Sequence, residues 1–290
     1  MATLESLRHQ IDTANDLESV VSTMKTLAAV NIRQYERAVE AIADFRRTIE
    51  LGFRIVLEDE AGVGDAAEVG GNSAMVVFGS DQGMCGRFNE EIVSFADARA
   101  HRDDLARHWT VLAVGARAED GLLDAGWSVD RVYDVPSSVS DITNLVHRLL
   151  PDVERLRAEA GVSRLLAFFN HRKSASSYEP QRLQLLPLDA DLLRRWRSER
   201  WRSRSLPTFA TSRRRLLSRL VQQYLFMSLF HACAASLASE NASRIAAMQA
   251  AERSIEEQRE ELQRAFNQLR QTAITDELLD VVTGFEALLA

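Results

Sequence analysis

The segment from Ser212 to Leu289 contains no proline, and its first glycine is Gly284. An unbroken helix from Ser212 to Val282 would be about 105 Å long at roughly 1.5 Å per residue. No single globular core encloses such a rod, so it needs a partner helix or a sleeve of other subunits. The residues supply a seam for that partner: Leu216, Leu220, Tyr224, Met227 and His231, then the small Ala235, Ala238 and Ala242, then Ile245 and Met248. Beyond them come Ile255, Leu262, Phe266, Leu269 and Ala273, flanked by the charged run Glu256, Glu257, Arg259, Glu260 and Glu261. The last residues, from Leu278 to Leu289, turn apolar again.

A matching rod opens the chain. Residues 3–57 hold no proline and one glycine, Gly52. Leu4, Leu7, Ile11 and Ala14 follow a three-four rhythm. After a drift it resumes at Val21, Met24, Ala28, Ile32, Tyr35, Val39, Ile42, Ile49, Phe53 and Val56. This narrow seam is that of a two-stranded coiled coil. Residues 58–72, with four glycines, are expected to form a loop.

Residues 73–188 have a different texture. Short apolar runs at 74–78, 111–114, 129–135 and 165–169 predict strands, and helical patterns near 89–101, 116–125 and 140–160 separate them. That alternation predicts a small, largely parallel α/β sheet, with 178–186 as an added edge strand. Residues 189–211 form an Arg/Trp-rich connector to the long rod of 212–290. The predicted fold is α-rich α+β. A long antiparallel coiled coil of N- and C-terminal helices carries a small Rossmann-like α/β domain inserted between them, and the longer C-terminal rod overshoots as a single helix. Such a part transmits position or force and encloses no substrate pocket.

Composition narrows the function classes. The net charge of −7 gives no general case for nucleic-acid binding. The only cysteines, Cys85 and Cys233, are far apart and form no metal or redox motif. No apolar run approaches a membrane span, and the first residues lack the plan of a signal peptide. The six histidines show no metal-ligand spacing.

Two stretches resemble ligand sites. Residues 79–86, GSDQGMCG, follow a strand and precede a helix, where backbone amides can hold a phosphate. The loop has no lysine, and its spacing is not that of a dinucleotide fingerprint, so a tight strand-to-helix turn is the preferred reading. Residues 194–204 interleave arginines with tryptophans, a pattern that can stack on single-stranded nucleic acid. The preferred reading is a connector whose tryptophans pack on the domain. The alternative to a shaft is a coiled-coil scaffold or nucleic-acid-binding adaptor that uses the α/β domain and this basic connector. A third class, a nucleotide-using enzyme built on the central domain, predicts that the domain binds ATP or NAD, and no such binding is expected.

Several stretches in register resemble the γ subunit of F-type ATP synthases, the rotor of the central stalk. They are 20–29 (VVSTMKTLAA), 80–89 (SDQGMCGRFN), 184–188 (QLLPL), 238–248 (ASENASRIAAM) and 267–277 (NQLRQTAITDE). The resemblance spans essentially the whole chain. It implies a non-catalytic subunit with no cofactor, whose shaft turns inside a head of alternating α and β subunits. Its foot would bind the ε subunit and the membrane ring of c subunits, at the cytoplasmic face of a bacterial membrane, without inserting into the bilayer and without binding nucleic acid. It further implies that Met24, Lys25, Arg244, Arg270, Gln271 and Thr275 contact the catalytic ring. Met24 is implied to lie beside the contact made by Arg270, Gln271 and Thr275. Val281, Val282, Phe285 and Leu288 are implied to form an apolar bearing tip. Gln82 and Arg87 depart from the family's central motif, and Thr283-Gly284 from its small residues near the tip, which points to a divergent bacterial branch.

Overall fold

The computed structural model describes residues 3–57, 71–102, 108–174, 177–198, 205 and 207–289, the last six of these by backbone alone. Most of the predicted 58–72 loop and residues 199–204 of the connector lie outside the described residues. The chain divides into two compact units, one of residues 1–28 with 245–290, the other of residues 29–244. Helices α1 (Leu4–Leu57) and α6 (Arg213–Leu289) contribute to both.

In the first unit, α1 and α6 pair as antiparallel helices. Lys25 Nζ donates to Glu252 at 2.6 Å, and Arg259 donates to Glu18 at 2.7 Å. The second pair lies seven residues down α1 and seven residues up α6 from the first, which is one antiparallel register. That register brings Ile11 level with Phe266 and Leu4 level with Ala273.

The predicted drift in the α1 seam is corrected here. One buried residue recurs every seventh position without a break: Leu7, Ala14, Val21, Ala28, Tyr35, Ile42, Ile49 and Val56. The companion positions, three residues earlier, are Leu4, Ile11, Glu18, Lys25, Ile32, Val39, Arg46 and Phe53. The heptad is intact, but charges occupy three of those companion positions, and two of them pair across the seam. An apolar-only reading of the pattern therefore saw a gap at Glu18 and assigned Met24 the place that Lys25 holds.

The facing rhythm on α6 runs Met248, Glu252, Ile255, Arg259, Leu262, Phe266, Leu269 and Ala273, all buried or half-buried. From Ile274 to Thr283 every residue is exposed. The overshoot expected from the unequal rods is therefore present among the described residues, since Leu4, where α1 starts, is level with Ala273. The helix continues past Val282 to Leu289.

The second unit holds a five-stranded sheet in the order β3-β2-β1-β4-β5. Its strands are β1 (Asn72–Phe78), β2 (Trp109–Val114), β3 (Arg131–Tyr133), β4 (Val162–Arg172) and β5 (Tyr178–Leu186). Strand β3 is shorter than predicted. The first four strands run parallel and β5 joins β4 antiparallel, as an edge strand. Helices α2 (Phe88–His101) and α3 (Ala116–Asp124) cover one face through Ile92, Ala96 and Leu122 against Met75, Val77 and Phe168. On the other face, α4 (Val139–Glu159) packs with α1 and α6 against Ala74, Val76 and Phe78. A sheet covered on both sides explains why β1 and β2 are continuous apolar runs and not alternating ones.

The connector, expected to pack its tryptophans on the domain, is partly helical. Helix α5 (Ala190–Ser198) buries Leu193 and Trp196. Trp196 stacks on Phe53 with centroids 4.6 Å apart and meets Tyr224 edge-on at 5.5 Å.

Along α6, the small residues do more than let a helix approach. Ser236 donates to Phe78 O at 3.3 Å, Ser239 to Asn170 O at 3.1 Å and Ser243 to Cys85 O at 2.6 Å. Buried Ala232, Ala235, Ala238 and Ala242 bring the α6 backbone close enough for these hydroxyls to satisfy carbonyls at the ends of β1 and β4 and in the adjoining loop. Contrary to expectation, α6 contains one stretch long and apolar enough to cross a membrane, and 61% of that stretch is buried inside the protein.

Candidate partner surfaces

The loop at 79–86 is tied by its own side chains to the start of α3, to the residues after β3 and to α2. Asp81 accepts hydrogen bonds from the backbone N–H of Ala116 at 3.0 Å and of Val135 at 2.9 Å. Its carboxylate therefore caps the N-terminus of α3, while α2, the helix the loop leads into, has no side-chain cap of its own. Ser80 O accepts from Arg117 N at 2.9 Å, and Asn89 satisfies both Ser80 N and Ser80 Oγ. Gly115, at φ 101°, passes so close that a Cβ would lie 2.7 Å from Ser80 carbonyl atoms. The geometry is that of a tight crossing between two strand ends. Burial pushes the Cys85 thiol beside this loop up from its ordinary value, and pushes Cys233 up further. Both are free and buried, which suits packing and not reactivity.

The expected contact residues divide into three groups. Lys25 is engaged with Glu252, and Met24 beside it is half-buried. Arg244 is paired with Glu240 at 2.6 Å, with only 11% of its side chain and 7% of its partner's exposed. Burial pushes the Glu240 carboxyl up, against the opposing pull of the Arg244 guanidinium. The third group, Arg270, Gln271 and Thr275, is exposed on α6, and Thr275 Oγ1 donates back to Gln271 O at 2.9 Å.

Met24 does not lie beside that third group. The register of the two ion pairs puts it level with Arg253, seventeen residues below Arg270, about 26 Å at roughly 1.5 Å per residue. Toward the end of α6, Val281 is 70% exposed, and Ile274, Leu278, Leu279 and Val282 are exposed with it. The side chains of Phe285 and Leu288 lie outside the described residues.

One surface escaped the sequence reading. Leu17, Val20, Leu27 and Val30 are exposed apolar residues on α1. With Met24 between them, Leu17, Val20 and Leu27 keep a three-four spacing of their own, offset from the buried seam. That second stripe was visible in the sequence, but one helix partner was assumed to account for every apolar position.

The fold joins long N- and C-terminal helices, paired in the first unit, with a five-stranded α/β sheet inserted between them in the sequence. A family model described as ATP synthase matches residues 3–288. The chain belongs to the ATP synthase gamma chain family. It is 28% identical over 300 residues to the ATP synthase gamma chain of Magnetococcus marinus, and 26% identical over 295 residues to that of Christiangramia forsetii. Each alignment covers 99% of both chains. In fold, it matches a chain of the Euglena gracilis mitochondrial ATP synthase solved as OSCP, F1 and c-ring, with a TM-score of 0.65 at 16% identity. That match covers 98% of this chain and 95% of the other. As a gamma subunit the protein is a non-catalytic rotor component of the central stalk. Among the described residues, no group of three or more His, Cys, Asp or Glu side chains is placed to hold a metal.

Proposed function

We propose that the exposed end of α6 turns within a head of alternating α and β subunits, while the α/β unit binds the ε subunit and the c-ring at the cytoplasmic face of a bacterial membrane. The observation that carries this reading is the run from Ile274 to Thr283. It is helical, wholly exposed, and includes five large apolar residues with no partner among the described residues. An isolated helix with such residues in water has nothing to bury them against, and an apolar bearing supplied by other subunits does. Arg270, Gln271 and Thr275 form the polar contact just below the tip. Met24, with Leu17, Val20, Leu27 and Val30, forms a second contact lower on the shaft.

Coupling follows from asymmetry. The three catalytic sites of the head face different sides of one shaft, so each shaft contact stabilises one site conformation over another by its difference in interaction energy. Rotation exchanges those differences among the sites, and ion flow through the membrane ring drives the rotation. Arg244 and Lys25 enter this scheme differently from the exposed residues, since each is already held by a carboxylate. Their first task is to fix the shaft.

Co-purification of the tagged full chain tests the assignment. The α, β and ε subunits should come with it in stoichiometric amount. Recovery of single-stranded RNA in their place would support an adaptor. The burial of Trp196 removes that ring from a base-stacking platform, which needs an accessible face.

A further inference from the structure

We propose that the start of α6, together with α5, forms a basic surface that docks on the phosphate headgroups of anionic lipids, so that the rotor touches the bilayer surface as well as its protein partners. This rests on the reading above, in which the α/β unit, to which α5 and the start of α6 belong, faces the membrane.

Residues 192–219 hold ten arginines and one acid, Glu199, a net of +9 in a chain whose total is −7. The fold gathers part of this charge. Trp196, wedged between Phe53 and Tyr224, pins α5 against α1 and α6. Its neighbours Arg195 and Arg197 are exposed. Arg214, Arg215 and Arg219 are exposed on α6, about 8 to 15 Å before Tyr224 at roughly 1.5 Å per residue. None of these five makes an ion pair among the described residues. The first turn of α6 contains no acid, although the helix dipole disfavours positive charge there. A local arrangement that opposes helix stability without internal compensation indicates a use outside the chain. Phe209, in the segment leading into α6, is exposed as well, and aromatic rings favour the headgroup level of a membrane.

Lipid suits this surface better than nucleic acid does. Guanidinium groups pair with phosphate oxygens in a planar, bidentate fashion. The arginines form a local cluster that a plane of headgroups can meet, whereas the chain as a whole is acidic and repels a long polyanion. Of the two tryptophans in 194–204, Trp196 is buried and Trp201 lies outside the described residues.

The test uses the full chain assembled with its α, β and ε subunits and without the c-ring. It is floated with vesicles of phosphatidylcholine alone and of phosphatidylcholine mixed with phosphatidylglycerol. The complex should float with the mixed vesicles only, and added salt should release it. Replacing Arg195, Arg197, Arg214, Arg215 and Arg219 by Gln should weaken binding by about fivefold for each arginine removed, with ATP hydrolysis by the head unchanged. Inorganic phosphate at matched ionic strength should leave flotation intact. Equal binding to neutral vesicles, undiminished binding by the variant, displacement by inorganic phosphate, or preference for single-stranded RNA would each overturn the proposal. A complex that assembles but does not float removes this inference alone, whereas a chain that fails to join α and β removes the reading beneath it.

Discussion

His231 and Glu240 show how single residues on α6 are tuned by burial. Burial, reinforced by Arg46 and His171, holds the His231 imidazole down to about 4. Its ring meets Phe169 edge-on at 6.0 Å, and its Nδ1 has no hydrogen-bond partner among the described residues. The folded state thus keeps this histidine neutral where the unfolded chain already accepts a proton. Stability is lost as pH falls from the ordinary histidine range toward 4, by on the order of 3 kcal/mol. Chemical denaturation at stepped pH should show that loss in the native chain and a flatter profile in His231→Phe. An equally steep profile in both would remove His231 as its source. For Glu240, removal leaves a buried guanidinium without its counter-ion, so Glu240→Ala should destabilise the chain by about 3–5 kcal/mol. The double change Glu240→Gln with Arg244→Met should recover most of that in the same denaturation experiment. At the exposed contacts, Met24→Lys or Arg270→Ala should reduce coupled ATP synthesis several-fold while melting temperature stays unchanged. Normal synthesis by both variants would strike them from the contact surface.

Among the elements, the strands and helices of the α/β unit were legible because each is a short run of uniform character bounded by glycines or polar residues. Strand β5 appears at its expected residues, Tyr178–Leu186. Helix α5 was not legible, because arginines dominate residues 194–204 and only Leu193 and Trp196 carry its buried face. The α1 seam was read correctly where it is apolar and wrongly at Glu18 and Lys25, because a charge in a seam betrays itself only through its partner on another element. Those partners, Arg259 and Glu252, lie more than two hundred residues away and are invisible to a local pattern. Their position predicts a role in register. Lys25→Glu should weaken pairing of the two helices by about 1 kcal/mol, and adding Glu252→Lys should restore it. Amide hydrogen exchange over residues 4–28 would report both changes. Unaltered protection in the single variant would show that the apolar seam alone fixes register. The serine ladder Ser236, Ser239 and Ser243 was equally hidden, because a serine beside alanines gives no sign that a strand carbonyl waits opposite.

For the whole molecule, the resemblance carried by motifs at both ends and in the centre agrees with a family match over residues 3–288. The structure adds two terminal helices paired in one register in the first unit, an exposed apolar continuation of α6 from Ile274 to Thr283, and a five-stranded α/β sheet in the second unit. The direct measurement is single-molecule observation of the full chain assembled with its α and β subunits, with a probe fixed to the α/β unit and ATP supplied. The account predicts one-way rotation of the probe, pausing at each third of a turn and stopping when ATP is withdrawn. A complex that hydrolyses ATP at its full rate while the probe stays still would contradict it.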